Sequence, residues 1–471
     1  MGNRILFLDD KNIERSENLT RTFHPFEKEI GNPVFVKKYD WEGIGPYGSA
    51  VFEQDGRYVM FYVTYGGKKS DYPSGIAFSS DGINWERGDE WTGSIDDDAQ
   101  CTGIMPDNGR LWKGYNYIGA SFYRRSKRPD VPCMKFKRSV DGIHWEDTDI
   151  PEWTGPSDVF YMLWDDVRKK YVMYYKLWKL SGITTDGEAF CAYFPGFDYK
   201  ESEGVFHAYG YSVLPERKDI DVYLKNEDTE KSQDGGGGLV CKSITMIRVV
   251  ARAESADLRE WTDERVIIEP AADAPLGDQT YGMSVKYENG IYIAHLSHFN
   301  AVDGHIQQQL AWSHDGIDFN INNDGYLLSC GKGDDWDRGM VSLSVDSIEK
   351  DGRICAYYGA TDLDHTVCDV DYKGGVGRAW LRREGYASIS GGTLVTKPIR
   401  VTGKSLSFNM KGKLKISVTD ENNNKICEYA VSGDNDRITP EGMDLSEYMG
   451  KEIRLELNVE NCELYSVGFT A

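Results

Sequence analysis

A seven-residue stretch, Ser79-Ser80-Asp81-Gly82-Ile83-Asn84-Trp85, comes back along the chain and limits the folds open to it. Ser139-Val140-Asp141-Gly142-Ile143-His144-Trp145 repeats it closely, while Ser313-His314-Asp315-Gly316-Ile317-Asp318-Phe319 and Ser255-Ala256-Asp257-Leu258-Arg259-Glu260-Trp261 are looser copies. Each follows a short apolar run, such as Gly75-Ile76-Ala77-Phe78 or Leu310-Ala311-Trp312. This is the pattern of a strand, a tight Asp-Gly turn using the positive φ open to glycine, and an aromatic ring folding back onto the sheet. The aspartates at 81, 141, 257 and 315 lie 60, 116 and 58 residues apart, so the middle interval is close to one repeat plus a long insertion. A period of that size marks a repeat architecture with several strands per repeat.

Around the turns the sequence alternates as strands do. Gly48 to Glu53, Tyr58 to Tyr65 and Gly75 to Ser79 form a first unit, and Thr102 to Met105, Gly114 to Ser121 and Met134 to Ser139 a second. Val159 to Trp164 and Tyr171 to Leu177 open a third, Tyr281 to Tyr287, Ile291 to Ser297 and Gln308 to Ser313 make a fourth, and Met340 to Val345, Ile354 to Gly359 and Gly377 to Arg382 a fifth. Five units of about four strands predict an all-β chain whose residues 1–388 form a five-bladed β-propeller. Residues 1–38 read as an irregular arm. An insertion near 180–245 carries the polar, glycine-rich run from Glu227 to Gly238 and lacks the turn signature. From 389 to 471 the short alternating runs Leu406-Ser407-Phe408-Asn409, Leu414 to Val418, Ile453 to Leu457 and Leu464 to Phe469 predict a small β-sandwich.

Composition narrows the function classes. The formal net charge of −22 argues against nucleic acid and against an anionic membrane surface as partners. Aromatic residues make up 13% of the chain, which suits sheets and also suits stacking on sugar rings. The nine cysteines are scattered singly, with no Cys-x-x-Cys, so neither a disulfide framework nor a zinc site is expected. Met1 to Asp10 has an apolar run of only four residues before two acids, which points away from a signal peptide and toward a reducing, cytoplasmic setting.

The repeated turns, Trp41-Glu42-Gly43 before the first unit, Tyr357-Tyr358-Gly359 in the fifth, and the closing run Gly377 to Ser388 together carry a resemblance. The chain resembles the five-bladed propeller glycosidases of the glycoside hydrolase family 32, 43 and 68 superfamily, the fructosidases and arabinosidases, with a C-terminal sandwich as in family 32. The W-M-N-D-P-N-G and R-D-P motifs of that superfamily are absent. The resemblance implies an exo-acting furanosidase working on small oligosaccharides through acids in the first three blades. Carried onto this chain, Glu42 or Asp40 becomes base or nucleophile and Asp158 or Glu152 the proton donor, with an acid of the second blade tuning them.

A propeller keeps its chemistry where loops enter the innermost strands. Upstream of those strands stand Asp40 and Glu42, Asp96-Asp97-Asp98, Asp158, Asp278, and Asp334, Asp335 and Asp337. Glycoside hydrolysis needs two facing carboxyl groups, and acids crowded around one axis push one another's pKa apart. Glu42, Asp158, Asp278, Asp40 and Asp98 are therefore the catalytic candidates, although Asp before a strand is also an ordinary turn residue. Trp41 could face a sugar beside Glu42, Asp337 could line the funnel, His365 could reach the axis from its loop, and Arg378 could pair with the central acids. No metal or other cofactor is expected, the partner is an oligosaccharide, and a homo-oligomer is left open. Two other functions fit the same fold: a glycan-binding propeller without catalysis, and a glycoside phosphorylase using Arg124-Arg125-Ser126-Lys127-Arg128 to hold phosphate.

Overall fold

The repeated turn closes on its own side chains. In the computed structural model Ser79 Oγ accepts the Gly82 N–H at 2.8 Å, and Asp81 Oδ1 accepts the N–H groups of Ile83 and Asn84, each at 2.8 Å. The same bonds recur around Asp141 and Asp315. Against the upward push of burial, donors from His144 and Ile143 bring the Asp141 carboxyl down to about 2. Gly82, Gly142 and Gly316 take φ of 76°, 77° and 71°, and Leu258 takes 67° in the looser copy. Neighbouring sheets grip the turn: Tyr357 Oη donates to Gly82 O at 2.8 Å and Tyr174 Oη to Gly316 O at 2.9 Å.

The structure describes residues 4–43, 45–54, 56–64, 73–87, 95–96, 99, 101–123, 133–154, 157–181, 199–202, 205–208, 211–213, 245–271, 274, 278–300, 303–365 and 373–470, with backbone alone at 49, 178–181, 199–213 and 245–247. The architecture is all-β, built from discrete antiparallel sheets. Pro46–Gln54, Arg57–Thr64, Ser74–Ser79 and Glu86–Arg87 pair in chain order as a first group. Cys101–Pro106, Tyr117–Tyr123, Cys133–Ser139 and Glu146–Asp147 form a second. Phe160–Asp165, Lys170–Ser181, Thr245–Ser255 and Thr262–Ile268 form a third, so the insertion leaves between its second and third strands. Asp278–Glu288, Ile291–Asn300, Ile306–Ser313 and Phe319–Ile321 form a fourth, joined by one parallel bridge at Ile306 and Met340 to a fifth: Met340–Lys350, Arg353–Thr361 and Gly374–Arg382. Adjacent groups meet at glycines. A Cβ on Gly103 would lie 2.8 Å from the Phe160 ring, and one on Gly282 would lie 2.5 Å from Val159 Cγ1.

The N-terminal arm corrects the expectation of irregular chain. Glu27–Lys28 and Phe35–Val36 pair with Gly374–Arg382 and complete the fifth group, although their sequence partners lie more than 300 residues away. Ile5–Leu6, Ile13–Glu17 and Thr20–Phe23 join the C-terminal strands in one nine-stranded sheet. That sheet is built on Ser405–Asp420, Lys425–Ile438 and Glu452–Thr470. Alternation is clean there: Ile453, Leu455, Leu457 and Val459 all point inward and share a core with Leu406, Phe408 and Ile416. Among the described residues no helix is long and apolar enough to cross a membrane.

Candidate active site

The first strands of all five groups converge on one cavity of about 220 Å³. Small residues hollow it: Gly48 and Ala50, Thr102 and Gly103, Gly282 and Ser284, Ser342 and Ser344 line its wall beside Val159 to Met162. Long side chains at these places would fill the axis.

The residues just before Val159 and Gly282 are Asp158 and Tyr281, and they build a polar cluster at the rim. Asp158 Oδ1 takes Lys176 Nζ at 2.7 Å and the Ser157 hydroxyl at 2.8 Å. Lys176 Nζ lies 4.7 Å from the centre of the Tyr281 ring and the Arg248 guanidinium 5.2 Å from it. Tyr281 Oη and His365 Nε2 are 2.5 Å apart. Arg248 also donates to Gln279 Oε1 at 2.9 Å. Burial pushes its guanidinium below the ordinary value, against the pull of Tyr281 and Asp158.

Deeper in the cavity stands Asp346. The ladder of Met340–Lys350 is interrupted between Leu343 and Ser347, and this bulge turns Ser344 and Asp346 toward the axis. Asp346 Oδ2 takes the Ser344 hydroxyl at 2.6 Å and Oδ1 the Tyr161 hydroxyl at 3.4 Å. Burial raises its pKa, although Ser344, Lys286 and Tyr161 all favour the charged form. His295 joins through Ser344 O at 3.1 Å and Tyr386 Oη at 3.3 Å, and burial, aided by Lys286, pushes it down to about 3, so it stays neutral.

A sign follows for stability. A carboxyl whose pKa is raised by folding holds its proton longer folded than unfolded, so its contribution is lost as pH rises from about 4 through the folded value. Asp346→Asn cannot ionise. Its melting temperature relative to wild type is therefore expected to climb between pH 4 and pH 8, and a difference that stays flat over that range would refute the raised pKa.

The sequence candidates scatter. Asp158 and His365 come together at the rim, linked through Lys176 and Tyr281. Asp278 meets Asn300 Nδ2 at 3.0 Å and lies 3.6 Å from His298 Nε2, whose other nitrogen contacts Tyr326 Oη at 3.1 Å. Asp40 is exposed on the short 3₁₀ turn Asp40–Glu42. Glu42, fully buried, is bonded to Arg87 at 2.8 Å and does not line the cavity. Trp41, 4% exposed, packs in the core with Phe35 and Tyr62 and offers no face to a sugar. Asp337 is bound to Lys28 at 2.5 Å and Tyr358 Oη at 3.1 Å, on the side of the N-terminal arm. Arg378 corrects its expectation outright: its partner is Glu29 of the arm, at 2.5 Å, because the arm brings its own acid to the fifth group. Glu152 pairs with Lys135 at 3.2 Å. Asp98, the Arg124 to Arg128 cluster and the insertion's aromatic run lie outside the described residues. Among the described residues no group of three or more His, Cys, Asp or Glu is arranged to hold a metal ion.

Lys176, Arg248, Tyr281 and Asp346 escaped sequence reasoning as site residues. A signal existed for two of them: Lys176 and Arg248 are charges inside apolar strand runs, and they are only 3% and 1% exposed.

No protein-family model matches the sequence, and no curated protein matches it. Among solved structures the chain is similar to an N-acetylgalactosamine deacetylase from F. plautii in complex with blood group B trisaccharide, with 14% identity, a TM-score of 0.48, and coverage of 77% of this chain and 96% of that one. It is similar to a structure described under the GH130 family of mannoside phosphorylases, containing glycoside hydrolases that target β-1,2 mannosidic linkages in Candida mannan, with 15% identity, a TM-score of 0.46, and coverage of 77% and 94%. It is also similar to a family 43 arabinoxylan arabinofuranohydrolase from Bacillus subtilis in complex with cellotetraose, with 11% identity, a TM-score of 0.35, and coverage of 94% and 98%. At these levels the activities of those proteins stay with them.

Proposed function

We propose that the chain is a glycan-acting enzyme on a five-bladed β-propeller, followed by a separate C-terminal β-module, and that it hydrolyses glycosidic bonds of small oligosaccharides at the rim of the axial cavity. One observation carries this reading: a carboxylate held in an ion pair, Asp158 with Lys176, stands beside a tyrosine–histidine pair where five first strands meet. Five four-stranded groups with glycine contacts between neighbours support the propeller. A cavity of this size suits one sugar unit rather than a chain, which supports exo action. Furanosides, fructosyl or arabinosyl, are favoured by the resemblance in sequence.

Hydrolysis requires one group to take a proton from water, or to attack carbon itself, and another to protonate the departing oxygen. Asp158 is assigned the first role, since a carboxylate bound to a lysine is a base. Release of p-nitrophenol from aryl furanosides and pyranosides, beside fructo- and arabino-oligosaccharides, tests the assignment. Asp158→Asn is expected to lower kcat roughly 10²–10⁴-fold at an unchanged melting temperature, with Asp278→Asn run in parallel. Turnover that demands phosphate would turn the reading to a phosphorylase. Sugar binding without turnover by wild type would leave a binding propeller.

A further inference from the structure

Hydrolysis at Asp158 leaves open where the proton for the departing oxygen comes from, and the answer offered here rests on that reading. Tyr281 is placed by a bulge. Thr280 pairs with His298 and Gly282 with Ser297, so Tyr281 has no residue opposite it and its side chain is re-aimed from the ladder. Three segments then converge on it: Lys176 and Arg248 flank its ring at 4.7 and 5.2 Å, and His365 reaches its oxygen at 2.5 Å. Phe299 backs the ring at 5.6 Å. A phenol with its ordinary pKa of about 10 is a reluctant acid near neutrality. Neighbouring cations and a hydrogen bond to its oxygen favour the phenolate, which makes the proton easier to give up.

We propose that Tyr281 is the general acid of the reaction, with His365 as the positioning residue that holds the phenolate it leaves. With His365 protonated at Nε2, that nitrogen donates to Tyr281 Oη and the phenol's own proton faces the substrate. As the bond between the anomeric carbon and the glycosidic oxygen breaks, its electron pair stays on the oxygen, which takes the phenol proton. Water forms the new bond to carbon and gives a proton to Asp158. That proton returns through solvent to the phenolate, so one water is consumed, one alcohol is released, and the protein ends as it began.

Leaving groups separate this role from a structural one. A 2,4-dinitrophenyl group departs without a proton, and a methyl group does not. For a sugar that wild type accepts, Tyr281→Phe is expected to keep dinitrophenyl glycoside turnover within a few-fold of wild type. Methyl glycoside turnover should fall roughly 10²–10⁴-fold. His365→Gln should show the same split in weaker form. The dinitrophenyl arm doubles as a check that each variant folds. Equal losses on both leaving groups, or no loss on either, would overturn the proposal while leaving the enzyme reading standing. Wild type inert toward every glycoside would overturn both.

Discussion

Gly359→Ala is expected to prevent folding or to remove more than about 4 kcal/mol of stability, the range in which a clash or strain mechanism must be present. Gly359 lies on Arg353–Thr361 of the fifth group, paired with Ser342 and Val376. A Cβ added there would stand 1.2 Å from the carbonyl oxygen of Tyr47 and 2.1 Å from its carbon. Both atoms are backbone, and Tyr47 belongs to Pro46–Gln54 of the first group. No rotamer relieves such a contact; one strand must move away from the other. The place is where the last group meets the first, so the movement would open the ring and the cavity together. Gly325→Ala is the matched control, since nothing lies within 4 Å of its Cβ position. Thermal and urea unfolding of both variants decide the matter. A Gly359→Ala protein melting with wild type would mean that these two groups do not touch there.

What could be read from the chain beforehand was whatever closes within a few residues. Ser79, Asp81 and Gly82 satisfy one another inside a single turn, so their chemistry is complete in the sequence. Strands with clean alternation, such as Glu452–Thr470, were equally plain. The site was not, because it is made by departures from that alternation. Tyr47 sits at a register shift between Pro46 and Gly48, Tyr281 at one between Thr280 and Gly282, and Asp346 inside one between Leu343 and Ser347. A bulge adds one unpaired residue and leaves no mark in a period of two. The arm failed for another reason. Glu27–Lys28 and Phe35–Val36 are two residues each, and their structure comes wholly from Gly374–Arg382. Acids that drew notice by standing before strands then divided by what the arm and the neighbouring groups brought to them: Asp337 received Lys28, and Asp158 received Lys176.

Glu42 shows how far that division reaches. Its Oε2 accepts the backbone N–H groups of Lys38 at 2.5 Å and Tyr39 at 2.9 Å, and its Oε1 accepts Tyr62 Oη at 2.9 Å and Arg87 Nε at 2.8 Å. Four donors surround a side chain with no exposed surface, and the Arg87 guanidinium lies 3.7 Å from the Phe35 ring. Glu42→Ala would strand a buried guanidinium and three further donors. Breaking one side of a buried pair removes about 3–5 kcal/mol, mostly through the charge left behind. The loss should appear as a large drop in the urea midpoint with an unchanged slope. Replacing Arg87 as well, in Glu42→Ala/Arg87→Met, removes the stranded charge, so the double variant should be more stable than Glu42→Ala alone. A catalytic Glu42 predicts the reverse: stability near wild type, turnover gone, and no relief from Arg87→Met. With both carboxylate oxygens taken up by donors that fix the entry to the first strand, the structural outcome is the expected one, and the carboxylate free to meet a sugar at the rim is Asp158.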